Sequence, residues 1–161
     1  MRILLQRVRH ASISIDAAVV ASIGVGILAL VAFGEEDGPH FAETRAFTAM
    51  AHKLADVRIF PGKGALEHKF HTSVQEYGGS ILLVPQFTLY ADCRKGRRPS
   101  FTAAGNPAWA ATMFTDFVRL VDEHCRVSVS CGVFGADMDV ALCNWGPVTL
   151  WLDSAELFAH T

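Results

Sequence analysis

The sequence has no apolar run long enough to cross a bilayer: its longest apolar stretch near the start, "VGILALVAF", is nine residues, against the roughly 20 a spanning helix needs. The opening "MRILLQRVRH" carries charge throughout and has no apolar core of its own. No signal peptide is therefore expected, and the chain reads as soluble and cytoplasmic, with no membrane partner. Cysteine is scarce too. Cys93, Cys125, Cys131 and Cys143 form no C-x-x-C pair, so free, buried thiols are expected rather than disulfides or a metal site. There is no G-x-S-x-G elbow, no Walker loop and no G-x-G-x-x-G, and with them go three common routes to acyl transfer, phosphate handling and dinucleotide binding. Basic residues nearly vanish from the second part: twelve of 14 Lys and Arg precede Pro99, after which only Arg119 and Arg126 stand against seven acidic residues. A net charge of −2 thus hides an uneven distribution and does not exclude an anionic partner at one face.

What is present is apolar pattern. At 51% hydrophobic and 19% charged residues, the composition is that of a chain with a real core. A length of 161 residues suggests one domain, over residues 1–161. "RILLQRV", "ASISID", "AVVASI" and "VGILALVAF" read as strands joined by short turns, which favours antiparallel pairing. After the turn "EEDGP", the spacing of Phe47, Met50, Leu54 and Val57 predicts an amphipathic helix from about His40 to Asp56. "VRIF" reads as a short strand, "PGKGALEHKFHTSVQEYGG" as mostly loop, and "SILLVPQFTLYA" as a strong strand. Asn106-Pro107 is a helix start, with Ala110, Met113, Phe114, Phe117, Val118 and Val121 as its apolar face. "RVSVSC", "DVALCNW" and "PVTLWL" follow as strands. The expected fold class is α+β: a largely antiparallel, barrel-like sheet with two main helices packed outside.

Three stretches stand out chemically. Pro85 in "VPQFTLYAD" lacks an N–H and so belongs at a strand edge or bend, which would lift Gln86, Phe87 and Thr88 out of the ladder; a plain strand end is the alternative. "RKGRR" offers Arg94, Lys95, Arg97 and Arg98 around a glycine, a composition that suits phosphate, or else a solvated loop. "NWGPVT", Asn144 to Thr149, places Gly146-Pro147 between strand-forming flanks. The ladder must open there and expose backbone, or the chain turns in a hairpin. His68 and His71, in "HKFH", have no evident third ligand, so no metal is expected.

"PQFTL" and "NWGPVT" together resemble the two signature motifs of the D-aminoacyl-tRNA deacylase family, usually written SQFTL and NxGPxT. "LLQRVRHASI", "GVGILALVAF", "RIF", "GGSILLVPQFTL", "RKGRRPSF" and "GVFGADMDVALCNWGPVTLWL" also fall in the family's order. The resemblance implies a homodimer of barrel-like subunits that hydrolyses the ester between a D-amino acid, or mischarged glycine, and the 3′ ribose of tRNA. It implies that Gly146-Pro147 is a cis dipeptide that enters the partner subunit's pocket, where its carbonyls exclude an L side chain. Gln86, Phe87 and Thr88 then match the catalytic wall, Met138 a pocket methionine, and Arg7 an arginine that supports the dipeptide loop. Asn144 and Thr149 fall in the same pocket motif, and Arg94, Lys95, Arg97 and Arg98 would meet tRNA. No cofactor is implied. The family's scheme uses the substrate's own 2′-hydroxyl, with backbone N–H groups near Phe87 and Thr88 as oxyanion donors; an older scheme makes Thr88 the nucleophile. Three departures bear on substrate range. Pro85 replaces the usual Ser, as in a branch with relaxed chirality that accepts small L-amino acids but lacks the following Phe. Trp145 replaces a frequent Asp. Around Lys69, "HKFHTSV" replaces a common G-K-M-N segment, with three extra residues before it. A different esterase on the same fold and a non-catalytic tRNA-binding module are the other readings.

Overall fold

Apolar and polar side chains alternate from the first residues, and the computed structural model, which describes residues 1–67 and 69–158, forms from them a single strand, β1 (Arg2–Ile15). Ile3, Leu5, Arg7, Val8, Ala11 and Ile13 are its buried positions. The inward parity changes between Arg7 and Val8, and the pairing register shifts on both sides of Val8. The two strands expected here are therefore one. Arg9 and His10 read as an interruption, but bulges let a strand change its inward face without leaving the sheet.

Asp16 and Ala17, both at positive φ, turn the chain into β2 (Ala18–Ile23), and β3 (Gly26–Ala32) continues along the same edge of β1. Gly26 lies so close to Ser80 that a Cβ there would stand 1.9 Å from the Ser80 carbonyl oxygen. A short 3-10 turn, Phe41–Glu43, and Thr44 precede helix α1 (Arg45–Asp56). The Thr44 hydroxyl caps the helix by accepting from the Phe47 N–H at 3.2 Å. Phe47, Met50 and Leu54 are buried as the spacing predicts, each contributing roughly 1.5–3 kcal/mol of transfer free energy. Val57 is the C-cap, outside the helix.

The segment expected as loop takes up the end of β4 (Phe60–Pro61) and holds a 3-10 turn, Gly64–Leu66, then β5 (Phe70–Thr72) and α2 (Val74–Tyr77). Ser73 and Glu76 close a reciprocal capping box on α2. Of "VRIF", only Phe60 is in a strand. Then come β6 (Ser80–Pro85), α3 (Pro107–His124), β7 (Val129–Cys131), β8 (Asp139–Asp153) and α4 (Ser154–Leu157). Asn106 caps α3 through Ala108 N–H at 2.9 Å.

The pairing order β2-β1-β3-β6-β7, with β8 on the other edge of β1, is not antiparallel throughout. β6 runs parallel to both β3 and β7. Each parallel pair is joined through a long helix, α1 or α3, and a crossover of that kind is what parallel strands require. β2 also packs back against β6 and β7, which makes the sheet nearly closed and barrel-like. α1 and α3 cover one side, where Phe47 meets Phe117 edge-on at 5.4 Å. Val8, Ile13, Leu28, Leu82 and Val84 form a second, smaller cluster on the other side.

The cysteines are free, but they are not buried as expected: Cys93, Cys131 and Cys143 are exposed and Cys125 is half-buried. They sit in a loop, on a short edge strand, on an outward position of β8 and at the end of α3, so apolar neighbours in sequence do not cover them. Burial, with Asp56 and Asp122 nearby, pushes the Cys125 thiol up to about 11. Among the described residues, no helix is long and apolar enough to cross a membrane.

Candidate active site

Pro85 ends β6 at a place where no donor is needed. Along β6 the N–H groups alternate sides: Ile81 donates to Ser128 beside β7, and Gln86 donates to Val31 of β3 at 2.8 Å. Position 85 therefore faces the β7 side, and β7 has ended, its last pair being Leu83 with Cys131. Beyond Pro85 the chain leaves the ladder and winds into a 3-10 turn, Phe87–Tyr90. The Gln86 side-chain amide donates to the Thr88 hydroxyl. Leu89 N–H bonds the Gln86 carbonyl at 3.2 Å. Phe87 and Thr88 come before that first turn-closing bond, so their N–H groups have no partner inside the turn.

This turn borders a pocket of about 710 Å³ at the carboxyl ends of the parallel strands β3 and β6, a size and place usual for small-ligand sites. Pro85, Gln86, Phe87 and Met138 line it together. So do Phe101, Phe114 and Phe134, which were not anticipated; Phe134 and Met138 share the loop between β7 and β8, and only the glycines of "GVFGAD" hinted at it. Phe87, 54% exposed, meets Phe101 edge-on at 5.1 Å at the rim. Thr88 is exposed beside the pocket. Below the rim, Tyr90 is buried, its hydroxyl unpartnered among the described residues; burial and then Asp37 push that phenol up.

The second constellation lies on β8. Gln6 pairs with Thr149 and Val8 with Asn144, so the four residues 145–148 stand opposite Arg7 alone. The strand does not turn back in a hairpin; it bulges outward and resumes the same ladder. The Asn144 side chain holds both ends of the bulge. Its Oδ1 accepts from Val148 N–H at 2.7 Å, and its Nδ2 donates to the Val148 carbonyl at 3.2 Å and to Thr149 Oγ1 at 3.0 Å. Gly146-Pro147, a cis pair, sits exposed at the crest, with Gly146 at φ +139°. A Cβ on Gly146 would stand 2.7 Å from Val148 Cγ2 and 3.0 Å from Arg7 Nη2.

Arg7 fastens this bulge from below. It is 7% exposed, donates from Nε to the Trp145 carbonyl at 2.9 Å, and reaches the Ile59 carbonyl through Nη1. Burial, then the charge of Arg9, lowers its pKa. The guanidinium carbons of Arg7 and Arg9 lie 4.4 and 3.7 Å from the Trp145 ring centroid, contacts worth roughly 0.5–2 kcal/mol each. Within one chain, then, Arg7, Asn144, Gly146, Pro147 and Thr149 frame the bulge, and Met138 and Gln86 line the pocket.

The basic segment is a loop closed by paired backbone bonds between Asp92 and Ser100, at 2.8 and 2.9 Å. It begins just after the 3-10 turn Phe87–Tyr90 and reaches the pocket wall at Phe101. Arg94 folds back onto Asp92, with Nε and Nη2 at 2.9 and 2.7 Å from the carboxylate oxygens. Those hydrogen bonds hold the Asp92 carboxyl at about 2. Among the described residues, no carboxylate pairs with Lys95, Arg97 or Arg98. His71 is exposed on β5, and His68 lies outside the described residues. Among the described residues, no cluster of His, Cys, Asp and Glu is arranged to hold a metal ion.

The family profile described as D-Tyr-tRNA(Tyr) deacylase matches residues 4–153. The chain belongs to that family. It is 69% identical over 158 residues to the D-aminoacyl-tRNA deacylase of Desulfovibrio desulfuricans, covering 98% of this chain and 99% of the relative. It is 51% identical to the D-aminoacyl-tRNA deacylase of Solidesulfovibrio magneticus, over the whole of both chains. A solved structure titled "c-Myc DNA Unwinding Element Binding Protein" superposes with a TM-score of 0.84 at 30% identity, over 95% of this chain and 98% of that one. A probable eukaryotic D-amino acid tRNA deacylase, at 22% identity and a TM-score of 0.77 over 94% and 98%, shares the fold. As a member of the deacylase family the chain is a hydrolase of the aminoacyl-tRNA ester bond.

Proposed function

We propose that residues 1–161 act as one cytoplasmic deacylase domain, working as a homodimer that strips D-amino acids, and glycine, from tRNA. One observation carries this reading: the bulge offers bare backbone at an exposed crest, and that crest does not line the chain's own pocket. A second copy supplies each pocket with its missing wall, and a two-fold arrangement does so twice. The ester end of the substrate then lies over the turn Phe87–Tyr90. The N–H groups of Phe87 and Thr88, without partners inside the turn, face the developing oxyanion, and one such donor is worth roughly 3–4 kcal/mol. The group bonded to the Thr88 hydroxyl is the Gln86 amide, which takes up no proton. That favours attack assisted by the substrate's own 2′-hydroxyl over nucleophilic Thr88. Gly146 and Pro147 carbonyls approach the substrate Cα and leave room for hydrogen but not for an L side chain. Lys95, Arg97 and Arg98 meet the tRNA phosphates.

The test is single-turnover deacylation of D-Ala-, L-Ala- and glycyl-tRNA, with light scattering on the same sample. Turnover of the D- and glycyl-substrates by a dimer, with L-Ala-tRNA refused, is the expected result. An active monomer would sink the shared-site reading. Pro85 favours one variation. It removes a hydroxyl beside the pocket without disturbing the ladder, so a measurable rate on L-Ala-tRNA but not on larger L-substrates would mark relaxed specificity for small residues.

A further inference from the structure

Arg7 is buried, charged and without a carboxylate partner among the described residues, and the side-chain charge that acts on it most is another cation, Arg9. What faces it instead is the Ile59 carbonyl and two aromatic rings, Phe70 at 5.5 Å and, closer, Trp145. The contact with Trp145 is double, since the residue 145 carbonyl accepts from Arg7 Nε at 2.9 Å and its indole lies against the guanidinium at 4.4 Å. Arg9 lies on the same indole at 3.7 Å. Behind it stand Phe60, edge-on at 6.2 Å, and Tyr77, tilted at 5.9 Å. Phe60 and Tyr77 stack on one another at 5.0 Å, and Phe60 is fully buried, so the indole rests on a fixed base. On the far side, Arg7 Nη2 stands 3.0 Å from where a Gly146 Cβ would be. A continuous line of contacts thus runs from the core through Trp145 and Arg7 to the crest of the bulge.

We propose that Trp145 is the positioning residue for stereochemical selection: its indole face takes the place of a carboxylate in holding Arg7, and through Arg7 it fixes where the Gly146-Pro147 backbone points. This rests on the reading that Gly146-Pro147 is the selector. An aromatic face attracts a guanidinium through its quadrupole without forming a directional ion pair. Two like charges can therefore share one ring, where a single carboxylate would be divided between them. Trp145 itself does not touch the reacting atoms. Its loss should leave the pocket built and the bulge loosely held, so the effect falls on discrimination rather than on binding.

The experiment measures single-turnover rates on D-Tyr-tRNA and L-Tyr-tRNA for the full-length wild type and for Trp145→Phe, Trp145→Leu and Arg9→Ala. Melting curves confirm that each is folded. Trp145→Phe keeps a ring and should hold the D-to-L ratio within about threefold. Trp145→Leu keeps apolar bulk without a ring and should lower the ratio at least about 30-fold, mainly by admitting the L-substrate. Arg9→Ala alters an exposed residue, is safe for folding, and should lower the ratio about threefold to fivefold. A Leu variant that discriminates as well as the Phe variant would overturn the proposal. So would a raised KM for both substrates with the ratio intact, since that is the mark of a substrate contact. If Trp145→Leu does not fold, an unchanged ratio in Arg9→Ala overturns it alone. A wild type that fails to discriminate would instead strike the dipeptide reading beneath it.

Discussion

The pocket and the bulge are built from opposite materials. The pocket at the ends of β3 and β6 is concave and lined by side chains, among them Phe87, Phe101, Phe134 and Met138. The bulge on β8 is convex and exposes main chain, framed by the side chains of Asn144 and Trp145 and by Arg7 of β1 beneath it. A pocket of side chains can be retuned by single substitutions. A crest of carbonyls is changed only by moving the backbone, and the Asn144 and Arg7 hydrogen bonds resist that. Recognition of the substrate end and rejection of the wrong hand are thereby given to structures that respond differently to mutation.

That contrast is most sharply broken at Gly146. With φ at +139° and a Cβ position 2.7 Å from Val148 Cγ2, Gly146→Ala should cost about 1–3 kcal/mol of stability. It should lower the D-Tyr-tRNA rate by more than about 100-fold, roughly 2.7 kcal/mol in the barrier. Binding of a non-hydrolysable D-aminoacyl-adenosine analogue to the pocket should weaken less than tenfold. Equal losses in rate and binding would mean the two regions are not separable.

On the pocket side the expected effect is smaller. Thr88→Ala removes the acceptor for the Gln86 amide and should slow the D-substrate about tenfold, roughly 1.4 kcal/mol. Complete inactivity of the folded variant would restore Thr88 as a nucleophile. The cationic loop comes next. Arg97→Ala and Arg98→Ala should each flatten the dependence of log tRNA affinity on log salt by about 0.7–0.9, as one lost phosphate contact does. Arg94→Ala should change that slope little, because Arg94 is already paired with Asp92. Equal slopes for the three variants would mean that this pairing does not set Arg94 apart. The smallest effect is in acid. The Asp92 carboxyl is held at about 2, below its ordinary 3.8. The Arg94 contact is therefore complete above about pH 4 and is lost as pH falls through about 2, which a carboxyl NMR titration would follow. A midpoint near the ordinary carboxylate value would show that the ion pair does not persist in solution.

Sequence made the helices easy to read because their signals are local: Asn106 caps α3, and Phe47, Met50 and Leu54 recur at helical spacing, although the start of α1 was placed near His40 and its Thr44 cap was passed over. The motif residues were equally visible, Pro85 by its missing donor and Gly146-Pro147 by its misfit in a strand. The direction of β6 was not, because its parallel pairing with β3 and β7 depends on where α1 and α3 cross, which no short turn announces. β1 was hidden for a related reason. A bulge keeps a strand whole while spoiling its alternation, so Arg9 and His10 looked like a gap between two strands. Pocket walls such as Phe101 and Phe134 come from separate loops that meet only when the sheet curls. The cysteines misled because apolar neighbours in sequence were taken for burial, and an outward position on β8 has such neighbours without it.

Pro85 has a consequence for how molecules of this protein avoid one another. A three-residue strand such as β7 leaves much of its neighbour's edge uncovered, and bare edges invite pairing with a stray strand from another chain. Just past β7, where a newcomer would look for its next donor, β6 offers a pyrrolidine ring. The newcomer would gain nothing by extending there, so the mouth of the cavity is guarded against being zipped shut in an aggregate by an atom that is not present.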